Sequence, residues 1–272
     1  MCHPRVIQTV KQRLLSRRDL FRTAGVVATA TSTTALAAGT ALARAPSRIE
    51  DLTYTLSPAF PTYSGEPGFA AEQTFDVAEH GFNQFDLSIN EHTGTHIDAP
   101  LHVFADGAAV DEIPVASLVA PLVVIDIRTK AIADHEAQVT PDDIKAWIAV
   151  NGALPAGCCV AMDSGWSLRV DGPGYRNVDG GGTMRFPGFH AEAALMLIEE
   201  AECVGLAVDT LSLDIGSSTD FATHTAWLPS GRWGIENIAR LDQVPAAGAT
   251  LVVGAPKHRG GTGGPTRVLA LV

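Results

Sequence analysis

Positive charge is scarce in this chain. Its 19 Lys and Arg stand against 30 Asp and Glu in 272 residues, a formal net charge of -11. Part of that basic charge lies in the first 22 positions, so no basic footprint exists for nucleic acid or for an anionic lipid surface. Cysteine is scarce too. Cys2 lies near the N-terminus, and Cys158, Cys159 and Cys203 are an odd set that cannot all pair within one chain. No disulfide framework is implied, and Cys158 and Cys159, inside an apolar run, read as small buried hydrophobes. Aromatic residues are few, at 6% against 46% for all hydrophobic residues; the total suffices for one substantial core, or one core plus a small appendage. Neither an internal repeat nor a second linker is found, so one main domain is expected.

A dense apolar run is also missing. Ala24 to Ala43 comes nearest to a membrane span, but it is full of Thr, Ser and Gly and lacks the Leu/Ile/Phe density that inserts about 20 residues stably. Just before it stands Ser16-Arg17-Arg18-Asp19-Leu20-Phe21, and the stretch ends in Ala41-Leu42-Ala43. A paired arginine, a weakly apolar segment and a small-residue cleavage site read as a cleaved twin-arginine export signal over residues 1–43. Cutting instead after Ala45 would put Pro46 directly behind the scissile bond. The expectation is a periplasmic domain over 44–272, without stable membrane insertion. Cleavage removes six basic residues and one acidic one, leaving a formal charge of -16.

What the mature chain does contain alternates between strand and helix signals. Phe85-Asp86-Leu87-Ser88-Ile89-Asn90 has a period of two, predicting a strand with one buried face. Pro121 to Ile127 is a continuous apolar run, as in a strand buried on both faces. Thr140-Pro141-Asp142-Asp143 supplies an N-cap, a proline in the first turn and acidic residues near the helix start, predicting a helix that ends near Gly152 with Ile144, Trp147 and Ile148 on one face. Strands are expected at Cys158–Met162, Val204–Leu213, Thr250–Gly254 and Val268–Val272, and a second helix at His190–Glu202 with Leu195, Met196 and Ile198 inward. The fold class is therefore α/β, with a mixed sheet covered by helices. Two glycine-rich loops stand out: one running from Asp171 to Gly182, whose length marks it as functional or mobile, and His258-Arg259-Gly260-Gly261-Thr262-Gly263-Gly264-Pro265.

The chemistry concentrates in His92-Thr93-Gly94-Thr95-His96-Ile97-Asp98-Ala99-Pro100-Leu101-His102, which holds three of the eight histidines beyond the export signal. Gly94, Pro100 and the β-branched residues oppose a helix. In an extended chain, side chains 92, 94, 96 and 98 share one side, so His92, His96 and Asp98 face one point with Gly94 leaving an opening. Imidazole nitrogens with a carboxylate and no thiolate suit Zn²⁺, Mn²⁺ or Fe²⁺.

This eleven-residue run resembles the signature of the metal-dependent cyclase-like hydrolase family, which includes kynurenine formamidase and isatin hydrolase. The resemblance extends from about Ile49 to the C-terminus, through Phe186-Pro187-Gly188-Phe189, Val208–Asp214 and the loop before Arg267. It implies a single cyclase-like α/β domain in which His92, His96 and Asp98 bind metal and His102 is catalytic. It further implies that His224 and Glu236, twelve residues apart, complete the centre. The cofactor implied is Zn²⁺ or Mn²⁺, as one or two ions, with Asp98 bridging if there are two, and the assembly implied is a homodimer or homotetramer.

The expected reaction is hydrolysis of an amide or cyclic amide C–N bond in a small aromatic substrate by metal-activated water, with His102 moving the proton. Two alternatives stay open: a lactone or ester hydrolase with the same centre, and a periplasmic binding protein without catalysis. Retention of His102 argues against the second, since a pure binder needs no proton carrier beside the ions. Trp166, Tyr175, Trp227 and Trp233 are the aromatics expected near the pocket, because planar substrates are held by apolar faces.

Overall fold

A computed structural model describes residues 46–272; the export signal expected over 1–43 lies outside the described residues. Chain order runs β1 (Ile49–Asp51), β2 (Phe69–Phe75), α1 (Val77–His80), β3 (Gln84–Ile89), β4 (His96–Asp98), β5 (Val119–Asp126), α2 (Arg128–Ala133), β6 (Gln138–Val139) and α3 (Pro141–Asn151). It continues with β7 (Cys159–Asp163), β8 (Gly188–Phe189), α4 (Ala191–Glu200), β9 (Gly205–Val208), α5 (Ala222–Trp227), β10 (Trp233–Glu236), β11 (Ala249–Gly254), β12 (Gly263–Pro265) and β13 (Arg267–Leu271).

Nine of these strands form one mixed sheet in the order β1-β13-β11-β5-β7-β9-β10-β4-β12. β5, β7, β9 and β10 run parallel at its centre, and the flanking pairs are antiparallel. The apolar runs explain the arrangement: every residue of β7 and β9 is buried, as expected where both faces of a parallel strand are covered. On one face Val123, Ile125, Val160, Met162, Leu206 and Val208 pack against α3 and α4. On the other, Leu122, Val124, Ala161, Ala207 and Ile235 meet Leu52, Ile97, Leu251 and Val268 from the outer strands, so the sheet curls over its own second core.

Asp143 accepts the Thr140 N–H at 2.7 Å, and the helix starting there ends at Gly152 as the capping signals predict. The second helix is shorter than expected: Ala193, Ala194 and Leu197 are buried, Met196 and Ile198 pack partly buried against the same core as expected, and Leu195 is instead exposed. The strand predicted at Val204–Leu213 covers only Gly205–Val208; the remainder runs on as turns toward the site.

The predicted strand at Phe85–Asn90 exists as β3, paired antiparallel with β2 in a separate two-stranded sheet. Its expected buried face is absent in the single chain, since all six residues are exposed, Phe85, Leu87 and Ile89 among them. Alternation identifies an apolar face correctly but not what covers it.

Candidate metal centre

The signature run is not one extended row. Gly94 adopts φ +64°, a left-handed conformation suited to glycine, and a Cβ there would come within 3.0 Å of Leu56. The chain therefore bends after His92 and enters β4 at His96. His96 and Asp98, two apart in a strand, share one face; the bend returns His92 to the same point. β4 lies next to β10, with His96 opposite Glu236 in the antiparallel register. That pairing brings together two segments far apart in the chain. His224 enters from α5.

Five side chains meet here. His92 Nδ1 lies 2.8 Å and His96 Nε2 3.3 Å from Asp98 Oδ1. His96 Nε2 is 3.4 Å from Glu236 Oε2, and His224 Nε2 is 3.1 Å from Glu236 Oε1 and 3.8 Å from Asp98 Oδ2. The atoms fall into two triads, His92/His96/Asp98 and Asp98/His224/Glu236, each with its donor atoms within 4.8 Å of one another, and Asp98 is common to both.

The outer nitrogens are already engaged. His96 Nδ1 donates to the Gly94 carbonyl at 2.9 Å, and His224 Nδ1 donates to Asp214 Oδ2 at 2.6 Å. Outer partners of this kind fix which nitrogen is left with its lone pair for a cation. His96 Nε2 and Asp98 Oδ2, both buried, have no hydrogen-bond partner, a costly condition unless a cation satisfies them. The donor set therefore fits a divalent metal.

Electrostatics points the same way. Burial opposes charge on His96, but Asp98 and Glu236 outweigh it and raise its pKa to about 9. His224 is likewise raised, against burial, by Asp214, Asp98 and Glu236. Burial pushes the Asp98 carboxyl up, yet His96, His224 and His92 hold it well below the usual range. A pocket that draws protons so strongly also favours a metal cation, which binds by displacing them.

His102 ends a short 3-10 turn, Pro100–His102, with its ring 3.9 Å from that of His92 and 5.9 Å from that of His224, centroid to centroid. Surrounding protein lowers its pKa to about 4; Asp98 pulls upward, and His92, His224 and His96 push down. Its exposed edge lets water screen part of that fall, but the direction leaves a neutral imidazole at pH 7, able to accept a proton.

The centre opens into a cavity of about 470 Å³ whose walls include Pro61, Tyr63, Val103, Leu211 and Phe221. Its aromatics are thus Tyr63 and Phe221. Trp166, Tyr175, Trp227 and Trp233 do not line it; all are buried in the core, because side-chain size alone does not separate a wall from a core position. The loop from Asp171 to Gly182 acts from behind: Arg176 donates to the Tyr63 carbonyl at 3.1 Å, and Tyr175 donates its hydroxyl to Asn237 Oδ1 at 2.8 Å.

Asp214 and Asn237 are the residues that sequence reasoning passed over. Asn237 sits at φ +55° beside Glu236, donates to the Gly94 carbonyl at 3.0 Å and accepts Thr95 Oγ1 on its own carbonyl at 2.7 Å. It thereby ties β10 to the bend of the signature. The one available signal was the acidic end of Val208–Asp214, a stretch already noted for its resemblance.

Fold and site together describe a curled, mixed α/β domain carrying a buried histidine–carboxylate centre. Residues 50–215 match the family model described as putative cyclase. The chain is 33% identical over 244 residues to the isatin hydrolase of Roseibium aggregatum, covering 82% of this chain and 91% of that protein. It is 29% identical over 223 residues to the kynurenine formamidase of Salinibacter ruber, covering 80% and 95%. Among solved structures, isatin hydrolase A from Labrenzia aggregata bound to benzyl benzoate superposes with a TM-score of 0.78 at 36% identity, covering 83% of this chain and 93% of that one. The chain belongs to the cyclase family.

Proposed function

We propose that this protein is a metal-dependent hydrolase that cleaves the C–N bond of a small aromatic amide, either a cyclic amide of the isatin type or an aryl formamide. One observation carries the reading: five metal-competent side chains, two of them with buried orphaned atoms, converge at a cavity walled by apolar and aromatic residues, with an unprotonated histidine alongside. Relatives named for isatin and kynurenine formamide hydrolysis support the bond type.

His92, His96, Asp98, His224 and Glu236 would hold Zn²⁺ or Mn²⁺. Asp98 belongs to both triads, so the donor set would have room for one ion or two. Metal held there supplies Lewis acidity, acidifying water and polarising the amide carbonyl. The chain's residues supply the rest. Tyr63, Phe221 and Leu211 offer flat apolar contacts to an aromatic ring. Neutral His102 takes a proton from the attacking water and passes it to the departing nitrogen, a role worth about 10² to 10⁴ in rate.

We further propose export by the twin-arginine route to the periplasm, supported by Arg17-Arg18 and Ala41-Leu42-Ala43, and assembly as a homodimer or homotetramer, supported by the uncovered apolar face of β3. Steady-state hydrolysis of isatin and of N-formylkynurenine by the metal-loaded protein tests the substrate class. Turnover of either supports the reading, and failure on both by protein shown to contain metal refutes it.

A further inference from the structure

The glycine-rich loop from His258 to Pro265 has no part in the mechanism above, yet it lies directly on the metal signature. β12 pairs antiparallel with β4, placing Gly263 opposite Asp98 and Pro265 opposite His96. The approach is too close for side chains: a Cβ on Gly263 would overlap the Ile97 carbonyl and come within 2.9 Å of His92 Cε1. A Cβ on Gly261 would overlap His258 and lie 2.6 Å from Glu91 Oε1. Between these glycines stands Thr262.

Three donors meet the Glu91 carboxylate. His258 Nε2 reaches Oε1 at 2.6 Å, the Thr262 N–H is 3.2 Å from each oxygen, and the Thr262 hydroxyl donates to Oε2 at 2.6 Å. A threonine hydroxyl has one proton, and here Glu91 takes it. The same oxygen lies 2.9 Å from His92 Nε2, so it can only accept there, and Nε2 must carry hydrogen. In the neutral ring Nδ1 then keeps its lone pair toward Asp98 Oδ1, 2.8 Å away; without a cation a hydrogen must lie between these two acceptors, and a bound metal would take its place.

Resting on the metal reading above, we propose that Thr262, braced by Glu91, is a positioning residue that sets the tautomer and orientation of His92 and so makes the C-terminal loop part of the metal-binding apparatus. His92 is the one imidazole of the centre without a buried main-chain or carboxylate partner on its outer nitrogen, and it is partly exposed. Its outer nitrogen has Thr262 as its partner, where His96 has the Gly94 carbonyl and His224 has Asp214. The His102 ring lies 3.9 Å from that of His92, tilted by 30°.

The test is Zn²⁺ affinity by chelator competition on the full mature protein, for Thr262→Val, Thr262→Ser and wild type, with melting of the metal-free forms measured in parallel. Thr262→Val keeps the shape and removes the hydroxyl; its Zn²⁺ dissociation constant should rise about 10- to 100-fold, while Thr262→Ser stays within about 3-fold of wild type. Loss of a merely structural contact would lower the melting point of the metal-free protein without rescue by serine. Equal affinity in wild type and Thr262→Val, or an equal loss in Thr262→Ser, overturns the proposal. Should Thr262→Val fail to fold, Glu91→Gln gives the same readout from a position outside the core: about a 3-fold or greater loss supports the proposal, and unchanged affinity overturns it. Wild-type protein that binds no Zn²⁺ or Mn²⁺ would instead remove the metal reading beneath it.

Discussion

Asp214→Asn should weaken metal binding while leaving all five candidate ligands in place. Asp214 Oδ2 accepts from His224 Nδ1 at 2.6 Å and from the His224 N–H at 3.2 Å, while Oδ1 accepts the Thr223 N–H at 2.7 Å. Burial raises the Asp214 carboxyl, but His224 and the two backbone donors outweigh it and lower its pKa, so the group is an anion with every partner a donor. An asparagine of the same shape cannot serve them all. With its amide nitrogen toward His224, two N–H groups face it and His224 is pushed into the tautomer that carries hydrogen on Nε2, the nitrogen needed for metal. With the amide nitrogen toward Thr223, a buried backbone donor is orphaned at a cost of about 1–3 kcal/mol. Removing an outer partner of this type weakens metal binding by about 10- to 100-fold, or about 1.4–2.8 kcal/mol. Chelator competition with Zn²⁺ and elemental analysis after dialysis measure it. An Asp214→Asn protein with wild-type affinity would refute the claim that Asp214 sets the His224 tautomer.

Three further outcomes follow from packing and charge. A Cβ at Gly205 would overlap the ring of Trp233, which is buried at the start of β10; Gly205→Ala should cost about 1–3 kcal/mol in denaturant unfolding, and unaltered stability would show that the ring can move aside freely. Asp209, buried beneath the loop after β7, has its pKa raised by burial to about 7 despite hydrogen bonds from Ser164 and Trp166. The folded state thus retains a proton that the unfolded chain gives up near pH 4, so this group's contribution falls as pH rises from about 4 to 7; comparing wild type with Asp209→Asn across that range should show a flatter slope in the variant. Phe85→Asp with Leu87→Asp should leave monomer stability unchanged, since neither side chain is buried. Light scattering should show the proposed dimer or tetramer in wild type and a monomer in the variant, and the same mass for both would mean that β3 is not an interface.

Much of the fold was legible because burial on two faces leaves continuous apolar runs: β5, β7 and β11 stand within about two residues of their predicted places. Ends drifted where turns took over, as after Val208. Helix α4 was found with Met196 and Ile198 against the core, but Leu195 is exposed and Ala193, Ala194 and Leu197 are the buried residues, because side-chain size alone does not fix the inward face. The signature residues His92, His96, Asp98 and His102 were recognisable by composition, and the structure brings them together with His224 and Glu236, which only family resemblance singled out. The bend at Gly94 was hidden, since period-two reasoning treats glycine as a gap in a row and not as a left-handed turn. Asn237 and Thr262 reach residues more than 140 positions away in the chain, and Asp214 reaches His224 across ten, through hydrogen bonds that no local pattern marks.

The decisive experiment is elemental analysis of the purified protein, paired with hydrolysis of isatin and N-formylkynurenine by wild type and His102→Ala. Both proteins should contain Zn²⁺ or Mn²⁺, wild type should turn over at least one substrate, and kcat should fall by about 10² to 10⁴ in His102→Ala. Protein that binds neither metal, or a His102→Ala variant that retains metal and full turnover, would contradict the metal-dependent hydrolase reading.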